Sequence, residues 1–360
     1  MQIGGAPVVT LERPRPAGSG DAPAFLGAQL LPGRGMMTLQ IRAHLPGRGT
    51  TDLLAAPPLD RAQEILDGEG GDFPGNPSYY FGAAVLLPFA NRIHGRPAPD
   101  GKSIEAEILG RAFHLPANAG GSQPGVARCA MHGLLLAARV EDLRRETTEE
   151  QDALHATFPA GDFAGHWPSS TEISFATILR STSFTFSVTA RNAGQETLPL
   201  GIGWHPYFAL PSGRRSQARL HVPARRRLLV NDYDAVVPTG ETAAVAGTPY
   251  DFSPPGGAPL GSLFLDDCFV DLVRSPDGCV VTEIHDPEAG YGLRVTTDSP
   301  GLQAVQVYAP VDSGFIALEP QTNWIDPFGA QWGPEVDTGM ALLAPEETAR
   351  YAVRLELLSS

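Results

Sequence analysis

The chain has 360 residues, including 40 glycines and 34 prolines, and its 26 basic and 40 acidic residues give a net charge of −14. So many chain-breaking residues exclude long helical bundles and coiled coils. The negative charge argues against binding to nucleic-acid phosphates. Hydrophobic residues make up 42% of the sequence, which is enough for a folded core.

Cysteine usage and the absence of long apolar runs bear on the compartment. The three cysteines, Cys129, Cys268 and Cys279, show no CxxC spacing. Scattered thiols indicate a reducing compartment with neither a disulfide framework nor structural zinc. The N-terminal residues lack the apolar run of a secretion signal, and no stretch approaches the 18 or so consecutive apolar residues of a membrane span. We therefore expect a cytoplasmic protein that does not enter a membrane.

The first residues and two short segments stand apart from the rest of the chain. Residues 1–24 are rich in proline and glycine and are expected to form a loose arm, followed by one domain over residues 25–360. Leu59–Leu66 has the pattern of a short helix. The charged segment Val140–Gln151 fits either a short helix or a solvated loop.

Most of the remaining sequence is strand-like. Apolar and polar residues alternate over Phe184–Thr189 and over Ala349–Leu357, which is typical of half-buried strands. Many short strands separated by turns predict an all-β sandwich or barrel. Further apolar runs between turn sequences are Phe269–Val273, Cys279–Ile284, Leu293–Thr297, Ala304–Tyr308 and Phe315–Leu318.

Several familiar catalytic signatures are missing, among them HExxH, GxxxxGK[ST], GxSxG and a helix-opening GxGxxG. None of the nine histidines forms a pair with the spacing of a helical metal site. Strands can gather distant ligands, so this lowers the odds of a metal without excluding one.

Two local strings place polar groups beside apolar runs. Asn91 and Arg92 follow such a run, and an amide beside a guanidinium suits a ligand rich in hydroxyl groups. An arginine paired with a carboxylate at a strand end is the alternative. His132 lies within the apolar string Cys129–Leu134, where a core histidine is the more common outcome.

Two further strings carry groups suited to acid–base chemistry. His205 lies in the aromatic string Gly201–Phe208, and Pro206 imposes an extended backbone on it. A rigid imidazole among flat apolar faces suits a sugar ring. Glu319 ends a hydrophobic strand, where burial raises the pKa of a carboxyl towards the range of a general base. A strand-end glutamate in water is the alternative.

Taken in order, the strings NRI, MHG, WHPYF, Asp266–Phe269 and LEPQT resemble the aldose 1-epimerases, or galactose mutarotases. The resemblance runs from about residue 25 to residue 358. It implies a large antiparallel β-sandwich of the galactose-mutarotase type. It also implies interconversion of the α and β anomers of a free aldohexose of the galactose or glucose class, without metal or organic cofactor. We expect a small-molecule sugar as the partner and a monomer or homodimer.

The resemblance also implies roles for individual residues. His205 matches the general acid, and Glu319 matches the general base. We expect a nearby carboxylate to raise the pKa of His205 and partial burial to raise that of Glu319. The sugar-binding residues implied are Asn91, Arg92, His132 and Asp266.

Three positions depart from the family pattern. Leu134 stands where the family's LHGG-like string has its second glycine. Asp267 stands where the family has a histidine, which places a second carboxylate beside Asp266. Trp324 follows the glutamate string, where small residues or prolines are usual. We expect its ring at the rim of the site as a stacking platform, and simple filling of the core is the alternative.

Three other functions remain open. A hexose-6-phosphate 1-epimerase would need cations for the phosphate, for which Arg214–Arg215 or Arg225–Arg227 could be recruited. A non-catalytic carbohydrate-binding protein would need neither His205 nor Glu319. Glycoside hydrolysis would need paired carboxylates.

Overall fold

The computed structural model describes residues 1–15, 18, 20–68, 76–121 and 126–358. Within these ranges the regular secondary structure is mainly β-strand, with one α-helix, α1 (Leu59–Asp67). No helix in the described ranges is long and apolar enough to cross a membrane. Short turns of 3₁₀ helix cover Pro32–Arg34, Asn76–Tyr79, Arg215–Gln217, Pro287–Ala289 and Ala330–Trp332.

The first half of the chain contributes short and long strands in turn. In chain order they are β1 (Gln2–Ile3), β2 (Ala6–Pro7), β3 (Val9–Glu12), β4 (Ala24–Leu31), β5 (Met37–Leu45), β6 (Gly49–Asp52), β7 (Ala83–Leu86), β8 (Arg92–Ile93), β9 (Arg96–Pro97), β10 (Ser103–Ile108), β11 (Arg111–Pro116), β12 (Ala130–Met131), β13 (Asp142–Thr147), β14 (Asp152–Gly161), β15 (Thr171–Leu179) and β16 (Phe184–Asn192).

The second half continues in the same way. Its strands are β17 (Leu198–Leu200), β18 (Gly203–Ala209), β19 (Arg219–His221), β20 (Ala224–Val230), β21 (Pro238–Ala244), β22 (Ala258–Pro259), β23 (Leu265–Leu272), β24 (Val280–Asp286), β25 (Tyr291–Thr297), β26 (Ala304–Ala309), β27 (Phe315–Gln321), β28 (Ala341–Leu343) and β29 (Thr348–Leu358).

Two large antiparallel sheets dominate the architecture. The first has eleven strands in the order β21-β20-β23-β26-β27-β18-β7-β5-β4-β3, with β6 paired to β5. The second has nine strands in the order β13-β14-β15-β16-β29-β25-β24-β19-β22. The prediction of an all-β antiparallel fold is therefore confirmed.

The two sheets pack face to face through a core of large apolar side chains. Trp204 of β18 is fully buried, and its ring stacks on Phe184 and Phe186 of β16 with centroids 6.2 and 5.9 Å away. The Tyr351 hydroxyl on β29 donates to the Pro320 carbonyl on β27 at 2.7 Å. The second sheet thus supports the two strands, β18 and β27, that carry the acid–base strings.

The expectation of a loose arm over residues 1–24 is wrong for its first half. Strand β3 pairs with β4 from Val9 opposite Leu30 to Glu12 opposite Gly27, and the side chains of Ile3 and Leu11 are fully buried. Proline and glycine in this segment separate very short strands instead of keeping the chain loose. Residues 16, 17 and 19 of the expected arm lie outside the described residues.

The two helical segments have different outcomes. The helix expected at Leu59–Leu66 is confirmed as α1. The segment Val140–Gln151 is neither helix nor loop, because its centre forms β13 at the edge of the second sheet. Its charges belong to an exposed edge strand, where they discourage pairing with other chains.

The expected strands are present, but one connection between them changes sheets. The turn after β23 forms with a hydrogen bond from the Gly278 amide to the Ser275 carbonyl at 2.8 Å. Strand β23 belongs to the first sheet and β24 to the second. This turn therefore crosses the edge of the sandwich, which the local pattern of apolar runs does not reveal.

Candidate active site

A cavity of about 290 Å³ opens on the first sheet, on the face turned away from the second sheet. Its floor is formed by the central strands β23, β26, β27 and β18, and loops from the first third of the chain close one side. The residues around it are Tyr79, Tyr80, Asn91, Arg92, Met131, His132, His205, Tyr207, Tyr233, Phe264, Asp266, Gln306, Tyr308 and Glu319.

His205 and Glu319 lie opposite each other at the floor of this cavity. Gly203 pairs with Gln321 and Tyr207 with Ala317, and this register places His205 across from Glu319 on the neighbouring strand. His205 Nε2 and Glu319 Oε1 are 3.4 Å apart. Both side chains are buried, so sequence-distant strings deliver an imidazole and a carboxyl group to one point.

Alternation along each strand explains why these two groups face the cavity. Neighbouring side chains on a strand point to opposite faces. Trp204 points into the sandwich core, and Leu318, the neighbour of Glu319, lies in the same core cluster. His205 and Glu319 must then point outwards. The packing of the core thus fixes the orientation of the polar pair.

Aromatic rings hold the His205 imidazole in place. The Tyr207 ring stacks on it with a centroid distance of 4.8 Å and an interplanar angle of 25°. The His132 ring contacts it edge-on at 4.8 Å, and Tyr79 contacts His132 at 5.0 Å. The Nδ1 atoms of His132 and His205 and the Oε2 atom of Glu319 have no hydrogen-bond partner among the described residues. These three buried atoms therefore keep hydrogen-bonding capacity that the described residues do not use.

Burial shifts both titratable groups of the pair towards their neutral forms. It lowers the pKa of His205 to about 3 and raises the pKa of Glu319 well above its usual value, with the Asp266 charge adding to the rise. The expectation for Glu319 is confirmed. The expectation that a carboxylate raises the pKa of His205 is wrong, because desolvation, with the Arg92 charge acting in the same direction, lowers it.

The two opposite shifts leave one proton on the pair over a wide pH range. As the pH rises, the doubly protonated pair loses one proton at the lowered pKa of His205. It loses the remaining proton only at the raised pKa of Glu319. Because the groups are in contact, this proton belongs to the pair as a whole. His132 behaves similarly to His205, since burial lowers its pKa well below the ordinary value. His132 is therefore neutral at pH 7 and both donates and accepts hydrogen bonds.

Four polar side chains form a closed ring beside the pair. Arg92 donates to Asn91 Oδ1 at 3.1 Å, and the Asn91 side-chain amide donates to Gln306 Oε1 at 3.1 Å. Gln306 donates to Asp266 Oδ1 at 2.6 Å, and the second Asp266 oxygen lies 3.7 Å from Arg92. Burial raises the pKa of Asp266, and the Arg92 charge and the Gln306 hydrogen bond oppose this rise.

The loops that carry Asn91 and His132 are tied together. Both residues have positive φ angles, 59° and 63°, and the His132 amide donates to the Asn91 carbonyl at 2.8 Å. Gly133 also has a positive φ, and a Cβ atom there would lie 2.3 Å from the Leu87 carbonyl oxygen. The glycine of the MHG string is therefore required for the approach of the two loops.

The structure brings six of the seven expected site residues into the cavity. They are Asn91, Arg92, His132, His205, Asp266 and Glu319. Trp324 is the exception: its ring packs edge-on against Trp332 at 5.2 Å, within an apolar cluster that also contains Leu228 and Val270. Strand β27 ends at Gln321 and the chain then bends, so the strand's alternation no longer determines where Trp324 points.

Asp267 lies on the opposite face of β23 from Asp266, as neighbouring strand residues do. Its carboxylate accepts from Arg227 at 2.6 Å and from the Tyr233 hydroxyl at 3.0 Å. Burial raises the pKa of Asp267, and the Arg227 charge opposes the rise. The second carboxylate is thus held in an ion pair and does not add its charge to the cavity floor.

Sequence reasoning missed Gln306 and the aromatic walls. Gln306 pairs across the sheet with Glu319 and is the single polar residue in the apolar run of β26. The pattern that marked His132, a polar residue inside an apolar run, was therefore also present at Gln306. Tyr207 lies two residues after His205 on the same strand, so alternation could have placed it in the cavity as well.

Three of the cavity residues have donor atoms close enough for one metal ion. The ligand atoms of His132, His205 and Glu319 all lie within 4.8 Å of one another. Two histidines and one carboxylate are a donor set that zinc accepts. The expectation of a site without metal therefore stays a prediction.

The fold and the site define a class, an antiparallel β-sandwich of the galactose mutarotase-like fold with a polar cavity on one sheet. Two solved structures show this fold. One is a galactose mutarotase-like protein from Clostridium acetobutylicum, with 17% identity, a TM-score of 0.73 and 93% of each chain covered. The other is galactose 1-epimerase from Lactobacillus acidophilus NCFM, with 16% identity, a TM-score of 0.64 and 98% and 99% covered.

Sequence comparison identifies the family. The family model described as aldose 1-epimerase matches residues 52–355, and the chain therefore belongs to the aldose 1-epimerase family. It is also similar to a protein of Escherichia coli K12 named "Uncharacterized protein YphB", with 28% identity over 196 residues. This match covers 52% of the chain and 60% of the relative's length.

Proposed function

We propose that this protein interconverts the α and β anomers of a free aldohexose of the galactose or glucose class. The observation that carries the proposal is the contact between His205 Nε2 and Glu319 Oε1 at the floor of the cavity. Anomerisation needs one group to remove the proton from O1 and another to protonate the ring oxygen O5. A buried imidazole–carboxyl pair that shares one proton meets this need.

The reaction balances with the protons of the pair and the sugar alone. Glu319 takes the proton from the O1 hydroxyl while the C1–O5 bond breaks, and His205 gives its proton to O5. The sugar is then an open-chain aldehyde, and rotation about C1–C2 presents the other face of the carbonyl. Ring closure reverses both transfers, so the pair again holds one proton at the end.

Sugar binding moves the shared proton into the required position. Burial favours the form with the proton on Glu319. A hydroxyl group that donates to Glu319 Oε2, which has no partner among the described residues, stabilises the carboxylate and lowers its pKa. The proton then moves across the 3.4 Å contact to His205, which becomes the general acid.

The remaining cavity residues suit an uncharged, hydroxyl-rich ligand. Arg92, Asn91 and His132 supply donors, and Asp266 supplies an acceptor. The rings of Tyr79, Tyr207 and Tyr308 line the cavity and supply apolar surface for the C–H groups of a pyranose. We propose that these residues hold the sugar with C1 and O5 between His205 and Glu319.

The charges disfavour a sugar phosphate as the substrate. Arg92 is the only cationic side chain among the described residues that line the cavity, and Asp266 opposes it. The two arginine clusters are engaged elsewhere. Arg214 pairs with Glu288, and Arg215 is buried and donates to the carbonyls of Gly261, Leu263 and Ala309.

The arginines of the second cluster, Arg225–Arg227, are also engaged in other contacts. Arg225 pairs with Asp271 at 3.1 Å, and Arg226 donates to Thr242 at 2.6 Å. Arg227 is held by Asp267 and lies 3.8 Å over the Tyr250 ring. A phosphate at the cavity would therefore find no uncommitted cation in either cluster.

Polarimetry of freshly dissolved α-galactose and α-glucose tests the proposal. We expect the wild-type protein to accelerate the relaxation of optical rotation, before and after treatment with EDTA. His205→Asn and Glu319→Gln should each abolish the acceleration. A matched control exists on the second sheet, where His285 Nε2 contacts Glu283 Oε2 at 2.9 Å. His285→Asn and Glu283→Gln should leave the rate unchanged.

Other outcomes point to the other functions. Sugar binding without acceleration would identify a carbohydrate-binding protein. Acceleration with glucose 6-phosphate but not with glucose would identify a phosphosugar epimerase. Release of a reducing sugar from a glycoside would support hydrolysis by Asp266 and Glu319.

A further inference from the structure

Three buried side chains that are able to bind a metal meet at the floor of the cavity. The ligand atoms of His132, His205 and Glu319 all lie within 4.8 Å of one another. The three side chains come from the loop after β12, from β18 and from β27, and only 6%, 4% and 1% of their surfaces are exposed. Among the described residues they are the single group of three potential ligands with this spacing.

The separation between the imidazole and the carboxylate is that of two ligands of one zinc ion. His205 Nε2 and Glu319 Oε1 are 3.4 Å apart, which is longer than the usual range of about 2.7–3.2 Å for a nitrogen–oxygen hydrogen bond. A tetrahedral zinc ion bound to both atoms at about 2.0–2.1 Å holds them about 3.4 Å apart. Strand pairing between β18 and β27 thus sets this spacing before any ion binds.

His132 is held where it can complete the set of ligands. Its amide donates to the Asn91 carbonyl at 2.8 Å, and its ring contacts the His205 ring at a centroid distance of 4.8 Å and an interplanar angle of 84°. The limit of 4.8 Å between the three ligand atoms exceeds the spacing of zinc ligands by about 1.4 Å. Side-chain rotation covers this difference without a movement of the backbone.

The three ligands leave one zinc position open towards the cavity. Two histidines and one glutamate form the ligand set of known catalytic zinc sites, in which water or another small ligand takes the fourth position. The cavity of about 290 Å³ has room for that ligand. The Asp266 carboxylate on the cavity wall attracts a dication, and Arg92, 3.7 Å from it, offsets part of the attraction.

The surroundings of His205 distinguish this site from that of a permanently bound metal. The second ring nitrogen of a zinc-bound histidine almost always donates to a carboxylate, a carbonyl or water, and loss of that contact typically lowers metal affinity about 10- to 100-fold. His205 Nδ1 has no hydrogen-bond partner among the described residues. We therefore expect an ion that binds reversibly and is removed by EDTA.

We propose that Zn²⁺ binds reversibly to His132, His205 and Glu319 and competes with the sugar, so that the metal-free protein is the active form. Binding of the ion is independent of the proposed function, whereas the inhibition rests on it. A bound ion occupies the lone pairs of His205 and Glu319 that the two proton transfers require. It also lies where the proposed mechanism places C1 and O5 of the sugar.

Calorimetric titration of the untagged, EDTA-treated full chain with ZnCl₂ tests the binding. We expect one zinc ion per chain. His132→Ala, His205→Asn and Glu319→Gln should each weaken binding at least about tenfold. The matched control is His285→Asn, which removes another histidine–glutamate contact. Cys279→Ser removes the least buried of the three thiols, and both controls should keep the wild-type affinity.

Cobalt reports which atoms bind the ion and does not depend on activity. Co²⁺ held by two imidazoles and a carboxylate should give strong visible absorption without the near-ultraviolet band of a thiolate ligand. His132→Ala should remove the visible band, and His285→Asn should retain it. A thiolate band, the weak spectrum of octahedral cobalt, or wild-type zinc affinity in the folded ligand variants would overturn the inference.

Polarimetry with galactose and glucose tests the competition. We expect added Zn²⁺ to raise the apparent KM while kcat stays constant, and EDTA should restore the original rate. Inhibition without a rise in apparent KM, or a faster reaction with zinc, would overturn the inference.

Calorimetry separates this inference from the proposed function. If the protein does not accelerate mutarotation, the proposed function fails, and the inference is still decided by whether galactose or glucose weakens zinc binding. If the protein accelerates mutarotation but binds no zinc, only the inference fails.

Discussion

The carboxamide of Asn323 makes two hydrogen bonds to the backbone of Ala90. It accepts from the Ala90 amide at 2.9 Å and donates to the Ala90 carbonyl at 3.0 Å. Asn323 follows β27, which carries Glu319, and Ala90 precedes Asn91 and Arg92. This one side chain therefore fixes the proposed sugar-binding loop relative to the proposed general base.

Substitution of Asn323 should affect both stability and activity. Asn323→Ala leaves two buried backbone groups of Ala90 without partners, and each such group costs about 1–3 kcal/mol. We expect the free energy of unfolding to fall by at least about 2 kcal/mol and kcat/KM to fall in the protein that remains folded. Chemical denaturation and polarimetry measure the two effects.

Asn192 supplies the matched control for Asn323. It is fully buried in the second sheet and donates to the carbonyls of Glu196 and Leu343. Asn192→Ala should lower stability by a similar amount and leave kcat/KM of the folded fraction unchanged. Equal losses of kcat/KM in the two variants would contradict a specific role for Asn323.

The close approach at Gly133 gives a second prediction. A Cβ atom at Gly133 would meet the Leu87 backbone at 2.3 Å, and the φ of Gly133 is 79°. Gly133→Ala should destabilise the protein by more than about 3 kcal/mol, because the left-handed strain of about 1–2 kcal/mol adds to a clash with a rigid backbone. Gly278→Ala is the control, since Gly278 has a φ of 83° but open space around it. A similar loss in both variants would show that φ alone accounts for the effect.

Much of the fold was predictable because the local pattern and the tertiary environment agree. The alternation of Phe184–Thr189 puts phenylalanines on one face, and that face meets Trp204 in the core. The same agreement holds for His205 and Glu319, whose neighbours along the chain are apolar. The residues before Glu12 were misjudged because proline and glycine are compatible with short paired strands as well as with a loose chain.

Other features depend on the complete fold and could not be read locally. The pKa of His205 depends on how fully water is removed from its ring. Tyr207 and His132, which contact the ring in the folded protein, exclude that water. The location of Trp324 depends on where β27 ends. Gln306, by contrast, could be identified from the sequence as a polar residue in an apolar run. Its hydrogen-bond partners, Asn91 and Asp266, could not be identified in this way.

In the polar ring beside the catalytic pair, Gln306 connects the Asn91 amide to the Asp266 carboxylate. It accepts from Asn91 and donates to Asp266. Gln306→Leu removes both bonds and leaves a buried carboxylate short of a partner. We expect kcat/KM to fall about ten- to hundredfold, as for loss of a hydrogen bond to a charged group. Gln303→Leu, which removes an exposed bond to Asp337 at 3.3 Å, should have no effect on kcat/KM, and a comparable loss there would contradict the argument.

Burial of Glu319 predicts that the proposed catalytic base lowers stability at neutral pH. Its pKa is raised in the folded protein, so above the ordinary carboxyl pKa the folded state binds more protons than the unfolded state. Stability from this group is complete at low pH and is lost as pH rises towards the raised pKa. Glu319→Gln should therefore increase Tm relative to the wild type, with a larger gain at pH 8 than at pH 5.

Glu283 provides the opposite case: burial acts to raise its pKa, but hydrogen bonds from His285 and Arg294 lower it overall. Glu283→Gln should decrease Tm at pH 8, and a Tm gain for Glu319→Gln that does not grow with pH would contradict the assigned shift.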